Sequence, residues 1–291
     1  VATGYTTTDA LADSLPIVIA AARIIREYEG VMPQLCDLQE LDPNTGLSWN
    51  EISLAQLTAQ AVTETTKLNN PQQMSDAMFS ITPSVTGIHT FTSDRVAARI
   101  SKKAWAKTGA LAMNAIVRKK DEDGLTALDG ATTSLCGAGN TLASGHIRAG
   151  AVRITSNATE PANSPLRCVL HGFQLKDIED ELTAPLGTYE ITEGETARVF
   201  KEGFRGTINN ARVYEAGNIT IDSADDAKGG VFARDALVLV QGIALRTETR
   251  REPDIGGGGT SMWVYDEYAY GERSAGNWLY EIYSDCSTPT A

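Results

Sequence analysis

Residues 93–120, SDRVAARISKKAWAKTGALAMNAIVRKK, carry a long helical pattern. Ser93 is a good N-cap, because its hydroxyl accepts an orphan N–H of the first turn, and Asp94 follows at the positive end of the helix dipole. Val96, Ile100, Ala104, Leu111 and Ala115 recur at helical spacing, with Trp105 and Ala112 on a second stripe. Gly109 weakens the helix by about 1 kcal/mol relative to Ala without ending it. Arg118, Lys119 and Lys120 crowd the far end, where the dipole favours cations. The spacing predicts one long helix over 93–120.

The charge of this stretch sets it apart. It holds eight Lys or Arg and one acid, whereas the whole chain of 291 residues has a net charge of −12. A basic rod in an acidic chain needs an acidic partner, a nucleic-acid partner or only water, and a solvated face is the commonest case. With a pI near 4.8, bulk attraction to nucleic acid or an anionic membrane is not expected, so only a local patch can supply it. The length allows a large core in one or two domains. No apolar run approaches the roughly 20 residues of a spanning helix, and no signal peptide is visible. Cys36, Cys136, Cys168 and Cys286 are scattered without CxxC spacing, which favours buried free thiols over a disulfide framework or a zinc site.

On the N-terminal side, residues 1–8 read as a draped tail. A helix follows, with Ser14 as its cap, Ile17, Ala21, Ile24, Ile25 and Tyr28 on its apolar face, and Gly30 at its end. Residues 44–92 are rich in Thr, Gln, Asn and Ser. Ile52 and Leu54 alternate on one side of this span, Phe79 and Ile81 on the other, and Asn69-Asn70-Pro71 supplies turn chemistry between them. This predicts a long two-stranded projection, which is not stable alone in water and needs a surface to lie on. The arm is acidic, with no Lys or Arg between Arg26 and Lys67.

On the C-terminal side, 121–150 is a Gly/Ser/Thr-rich passage. The pattern then predicts short strands at Val152–Thr155, Cys168–Leu170, Tyr189–Ile191, Arg198–Phe200, Ala211–Tyr214 and Ile219–Ile221, with an acidic helix at Gln174–Leu182. Ala236–Val240 and Asn277–Tyr283 read as further strands. The run Ile243–Thr249 and the aromatic strand Met262–Tyr270 flank four glycines and can pair across them as a long hairpin.

Catalytic chemistry finds no support in these residues. Gly137-Ala-Gly-Asn140 and the four-glycine run lack the Gly-Lys-Ser/Thr ending of a phosphate-cradling loop. His89, His146 and His171 have no metal-ligand spacing, and no G-x-S-x-G elbow is present. Asp177, Glu179, Asp180 and Glu181 fit a solvated helix face better than an acid/base pair, and Asn157 and Asn218 match glycosylation acceptors that mean little without secretion. No catalytic residue, cofactor or metal is assigned.

The order of elements resembles the major capsid proteins of tailed double-stranded DNA phages, the Hong-Kong-ninety-seven-type fold shared by herpesvirus capsids and encapsulins. RVAARISKKAWAKTGALAMNAIV resembles the spine helix of that family, and GFRGTINNARVY a strand of its central domain. GGVFARDALVLVQGIALRTETRREP and WVYDEYAYGERSAGNWLYEIYSD resemble its closing strands. The resemblance implies an α+β chain with an N-terminal arm (1–43), an extended β-hairpin loop (44–92), a peripheral domain (93–130 and 243–275), an axial domain (131–242), and a closing strand and tail (276–291). It implies a shell of pentamers and hexamers around double-stranded DNA, made in the host bacterial cytoplasm and resident in the virion, without a membrane. Scaffolding, portal and decoration proteins are further implied partners. An encapsulin-like compartment shares the fold, and a β-rich surface module binding carbohydrate through the aromatics of 263–283 is a different class of alternative.

Within that frame Trp49, Glu51, Glu64 and Lys67 are the candidate contacts of the extended loop with a neighbouring subunit. Arg95, Arg99, Lys102, Lys103 and Lys107 are the basic face of the spine helix, met either by a neighbour's acidic loop or by packaged DNA. Some family members cross-link Lys to Asn with the help of a Glu. Lys67 is the only lysine in the loop, and no local pattern identifies partners for it.

Overall fold

In the computed structural model the described residues are 5–6, 28, 30–44, 46–68, 71–99, 108–162, 164–183, 206–255, 257–274 and 276–289. The helix predicted over 14–30, the strands at 189–191 and 198–200, and the residues Lys102, Lys103 and Lys107 lie outside them. No described helix is long and apolar enough to cross a membrane.

Among the described residues, two six-stranded sheets share one long helix. The first sheet is built on β13 (Gly259–Glu272). One edge of β13 pairs antiparallel with β5 (Ser84–Ser93), and β1 (Tyr5–Thr6) adds to β5 in parallel, so two residues of the predicted tail are strand. The other edge pairs end to end with β12 (Arg246–Glu252) and β11 (Leu237–Gln241), and β2 (Asp37–Glu40) follows β11 in parallel. The β12–β13 hairpin spans the glycine run as its flanking patterns predict.

The second sheet runs in the order β6 (Ser134–Cys136), β14 (Leu279–Asp285), β10 (Asp226–Ala233), β7 (Leu166–Leu170), β9 (Ala211–Glu215) and β8 (Thr207–Ile208). The chain leaves it through a 3₁₀ turn, Arg234–Ala236, into β11, and returns from β13 into β14.

Ser93 does cap the start of α2 (Asp94–Arg99), its Oγ accepting from Val96 N–H at 3.4 Å. Helix α3 (Thr108–Asp129) does not stop at Lys120. It runs nine residues further, because Leu125 and Leu128 extend the apolar stripe into the core of the second sheet. Upstream, Ala112 and Ile116 pack on Val264 of the first sheet. At about 1.5 Å per residue, α3 is long enough to bridge both sheets. The basic run therefore sits in mid-helix, where Arg118 and Lys119 pair with Glu122 and Asp123 one turn on. Gly124 admits α1 (Met32–Leu35), since a Cβ there would lie 2.7 Å from Met32 Cβ.

Two further expectations are corrected. Val152–Thr155 is the last turn of helix α4 (Ser144–Thr155), not a strand: Ile147, Ala151 and Ile154 form one buried face, and packing against the sheet overrides the β-branched composition. The Gly/Ser/Thr-rich passage 121–150 holds the end of α3, β6 and the start of α4. Ile219–Ile221 is no strand either, since Ile221 makes a single bridge to Ala227. The acidic helix exists as α5 (Gly172–Thr183).

Candidate functional site

The projection from the body is a two-stranded arm. β3 (Trp49–Leu54) and β4 (Asp76–Ile81) pair antiparallel with each other, from Trp49↔Ile81 to Leu54↔Asp76. Alternation gives the arm two faces. At its root Trp49, Phe79 and Ile81 turn toward the body: the Trp49 and Phe79 rings meet edge to face at 6.3 Å, and Ile81 packs with Val238 and Val240. Gly271 makes room for them, since a Cβ there would lie 2.5 Å from Ile81 Cδ1. The opposite face is bare: Ile52 is 62% exposed, Leu54 73%, Met74 72% and Met78 70%. Large exposed apolar side chains grouped on one face are the kind of surface that interaction sites present.

Of the four loop candidates, the structure places Trp49 in the root cluster and Glu51 on Arg273 of the same chain, at 2.6 Å. Glu64 and Lys67 lie exposed further out. Sequence reasoning missed Arg273, whose partners are remote in sequence, and the exposed apolar face of the arm, which period-2 spacing alone does not distinguish from a buried one. On α2, Arg95 and Arg99 are exposed, and Asp94 forms a bidentate pair with Arg251 of β12, which holds its carboxyl below the usual range. Lys120, in contrast, is drawn under the first sheet to Asp266.

Reactive groups elsewhere are tuned for structure. Cys286 Sγ lies 3.2 Å from His171 Nδ1, but burial pushes this thiol up to about 11 and lowers the imidazole. Both shifts disfavour the thiolate–imidazolium pair of an activated nucleophile. Burial pushes Cys36 up to about 12. Among the described residues no group of three or more His, Cys, Asp or Glu side chains is arranged to hold a metal.

Glu281, on β14, is raised above its ordinary value of 4.5, first by burial and against the pull of Ser134 and Lys228. The native state thus holds its proton to higher pH than the unfolded chain does. Stability from this group is present below the unfolded value and lost as pH rises through the folded one. Glu281→Gln should therefore raise the urea midpoint at about pH 7 relative to the parent, and the gain should vanish near pH 4.5; a gain equal at both pH values would contradict the assignment.

No protein-family model matches the chain, and no curated protein matches it. Solved structures do. The capsid of Helicobacter pylori bacteriophage KHP30 superposes with a TM-score of 0.73 at 12% identity, covering 98% of this chain and 100% of that one. The capsid of the cyanophage P-SCSP1u gives 0.70 at 12% identity over 97% of this chain and 96% of that one. The mature capsid of bacteriophage PhiM1 gives 0.70 at 15% identity over 94% and 93%. With so little sequence in common, the likeness is one of architecture: this chain has the tailed-phage capsid fold.

Proposed function

We propose that this chain is a major capsid protein, a self-assembling subunit of an icosahedral shell around double-stranded DNA, whose function is assembly rather than catalysis. The observation that carries the reading is the arm: a β3–β4 hairpin whose outer face leaves Ile52, Leu54 and Met78 bare, standing on a body with a capsid fold. An arm that cannot fold alone is used as a strap across a neighbouring copy, and repeated contacts of more than about 2,000 Å² per subunit hold the particle without a single strong bond. The structural neighbours described above are phage capsids, which supports a virion shell over an encapsulin-like compartment. Against a carbohydrate platform, Tyr268 and Tyr280 are buried and Tyr270 and Trp278 pack against the core.

Pentamers and hexamers are the expected intermediates. The axial unit draws β14 from the closing segment, and the peripheral unit draws β11 from the central block. Arg95 and Arg99, exposed on α2, offer cations for an acidic arm or for DNA, and the sequence adds Lys102, Lys103 and Lys107, which lie outside the described residues. Because Glu51 is committed to Arg273, Glu64 and Asp76, both exposed on the arm, are the acids left for such a contact. Scaffolding and portal proteins belong to the same reading. Negative-stain imaging of the purified protein should show closed shells or five- and six-membered rings; monomers alone across salt, pH and concentration would overturn it.

A further inference from the structure

Beyond its root the arm touches the body once more. Gln56 Nε2 donates to the carbonyl of Thr159 at 2.5 Å, and between the two contacts lies an open cleft of about 350 Å³ lined by Leu54, Ser75 and Glu160 among others. The polar part of the root, Glu51 on Arg273, and the loop beneath Gln56 both trace back to one short connection, from β13 to β14. Arg273 begins it. Its Nε donates to Glu51 at 2.6 Å, Nη2 to Asp37 at 2.9 Å and Nη1 to the carbonyl of Asp235 at 2.8 Å, so each guanidinium nitrogen is used. Burial alone would lower its basicity, but Glu51 and Asp37 outweigh it and the charge is held.

The same connection fastens the loop on which the middle of the arm rests. Ser274 Oγ donates to Glu160 Oε2 at 2.6 Å, Trp278 Nε1 donates to the Glu160 carbonyl at 2.8 Å, and Asn157 Nδ2 donates to Asn277 Oδ1 at 2.9 Å. This connection is also where the chain passes from the first sheet to the second.

We propose that the β13–β14 connection is the seat that sets the direction of the arm, with Arg273 as its positioning residue. Two supports on one short segment fix an angle where a single root contact would leave a pivot. A planar fork suits the site because acceptors from β2, β3 and the 3₁₀ turn each meet a different guanidinium nitrogen, whereas a lysine presents its three donors from a single nitrogen and does not span the same positions. A shift of one sheet against the other moves the seat and swings the arm. Its consequence for the particle rests on the shell reading: a loosened arm yields shells of mixed size.

The test is hydrogen exchange on the full-length chain before assembly. In Arg273→Met the amides of 49–54 and 76–81 should exchange about tenfold faster or more, the local opening expected when a charge-assisted anchor is lost, while β10 and β14 keep their protection. Glu51→Gln should shift the same amides by a smaller factor, and Arg273→Lys should restore part of the protection. Unchanged arm amides in Arg273→Met, or a loss spread evenly over the body, would overturn the proposal. Exchange in the unassembled chain does not depend on particle formation, so a wild type that forms no shells would count against the proposed function alone.

Discussion

Lys120→Met should destabilise the chain by about 3–5 kcal/mol, the cost of leaving one partner of a buried ion pair alone. Lys120 and Asp266 have side chains only 15% and 4% exposed, with Nζ 3.1 Å from Oδ2. Gln241 bridges both, taking a hydrogen bond from Lys120 and donating one to Asp266, and the ammonium lies 4.8 Å from the centre of the Tyr268 ring. Methionine keeps the volume and removes the charge, so Asp266 is left with Gln241 and the Glu267 N–H. The control is Lys119→Met, which breaks an exposed one-turn pair with Asp123 and should cost only about 0.3–0.5 kcal/mol. The double variant Lys120→Met/Asp266→Leu should recover most of the loss, since an apolar pair of similar size often replaces a buried ion pair without penalty. Urea midpoints measure all three. A loss in Lys120→Met no larger than in Lys119→Met would show that the network is not what joins α3 to the first sheet.

Cutting the arm back should abolish assembly and leave the body folded. Replacing residues 52–78 with a short Gly-Asn turn keeps Trp49, Glu51, Phe79 and Ile81 at the root and removes the bare face of Ile52, Leu54 and Met78 with the span beyond it. The removed residues that the structure describes are exposed and give up one side-chain hydrogen bond to the body, Gln56 to Thr159, so the unfolding free energy should fall by no more than about 1.5 kcal/mol. Shell yield, read by sedimentation and imaging, should fall to background. A shortened chain that assembles at the parent's yield would show that the strap is dispensable.

These two predictions separate what sequence makes legible from what it does not. The Ser93 cap, the strands on either side of Asn69-Asn70-Pro71 and the hairpin across the glycines are local signals, and each carries its physical cause within a few residues. The end of α3 is not local. Three cations followed by Asp121-Glu122-Asp123 look like a helix terminus, but the acids pair back by one turn and Asp121, fully buried, accepts from Val31 and Met32 N–H to fasten α1. Val152–Thr155 has the composition of a strand, and its helical state is decided by where Ile147 and Ile154 are packed. The arm was visible as a projection from Ile52, Leu54, Phe79 and Ile81. Which face is bare depends on Val238, Val240 and Gly271, more than 150 residues away. Arg273, seat of the arm, carries no local signature.

Whether the arm reaches across a neighbour is visible in a reconstruction of the assembled particle at subunit resolution. The expected result is the Ile52–Met78 face of each arm buried on an adjacent subunit, with Glu51 still on its own Arg273. An assembled particle in which that face remains open to solvent, or touches only its own chain, would contradict it.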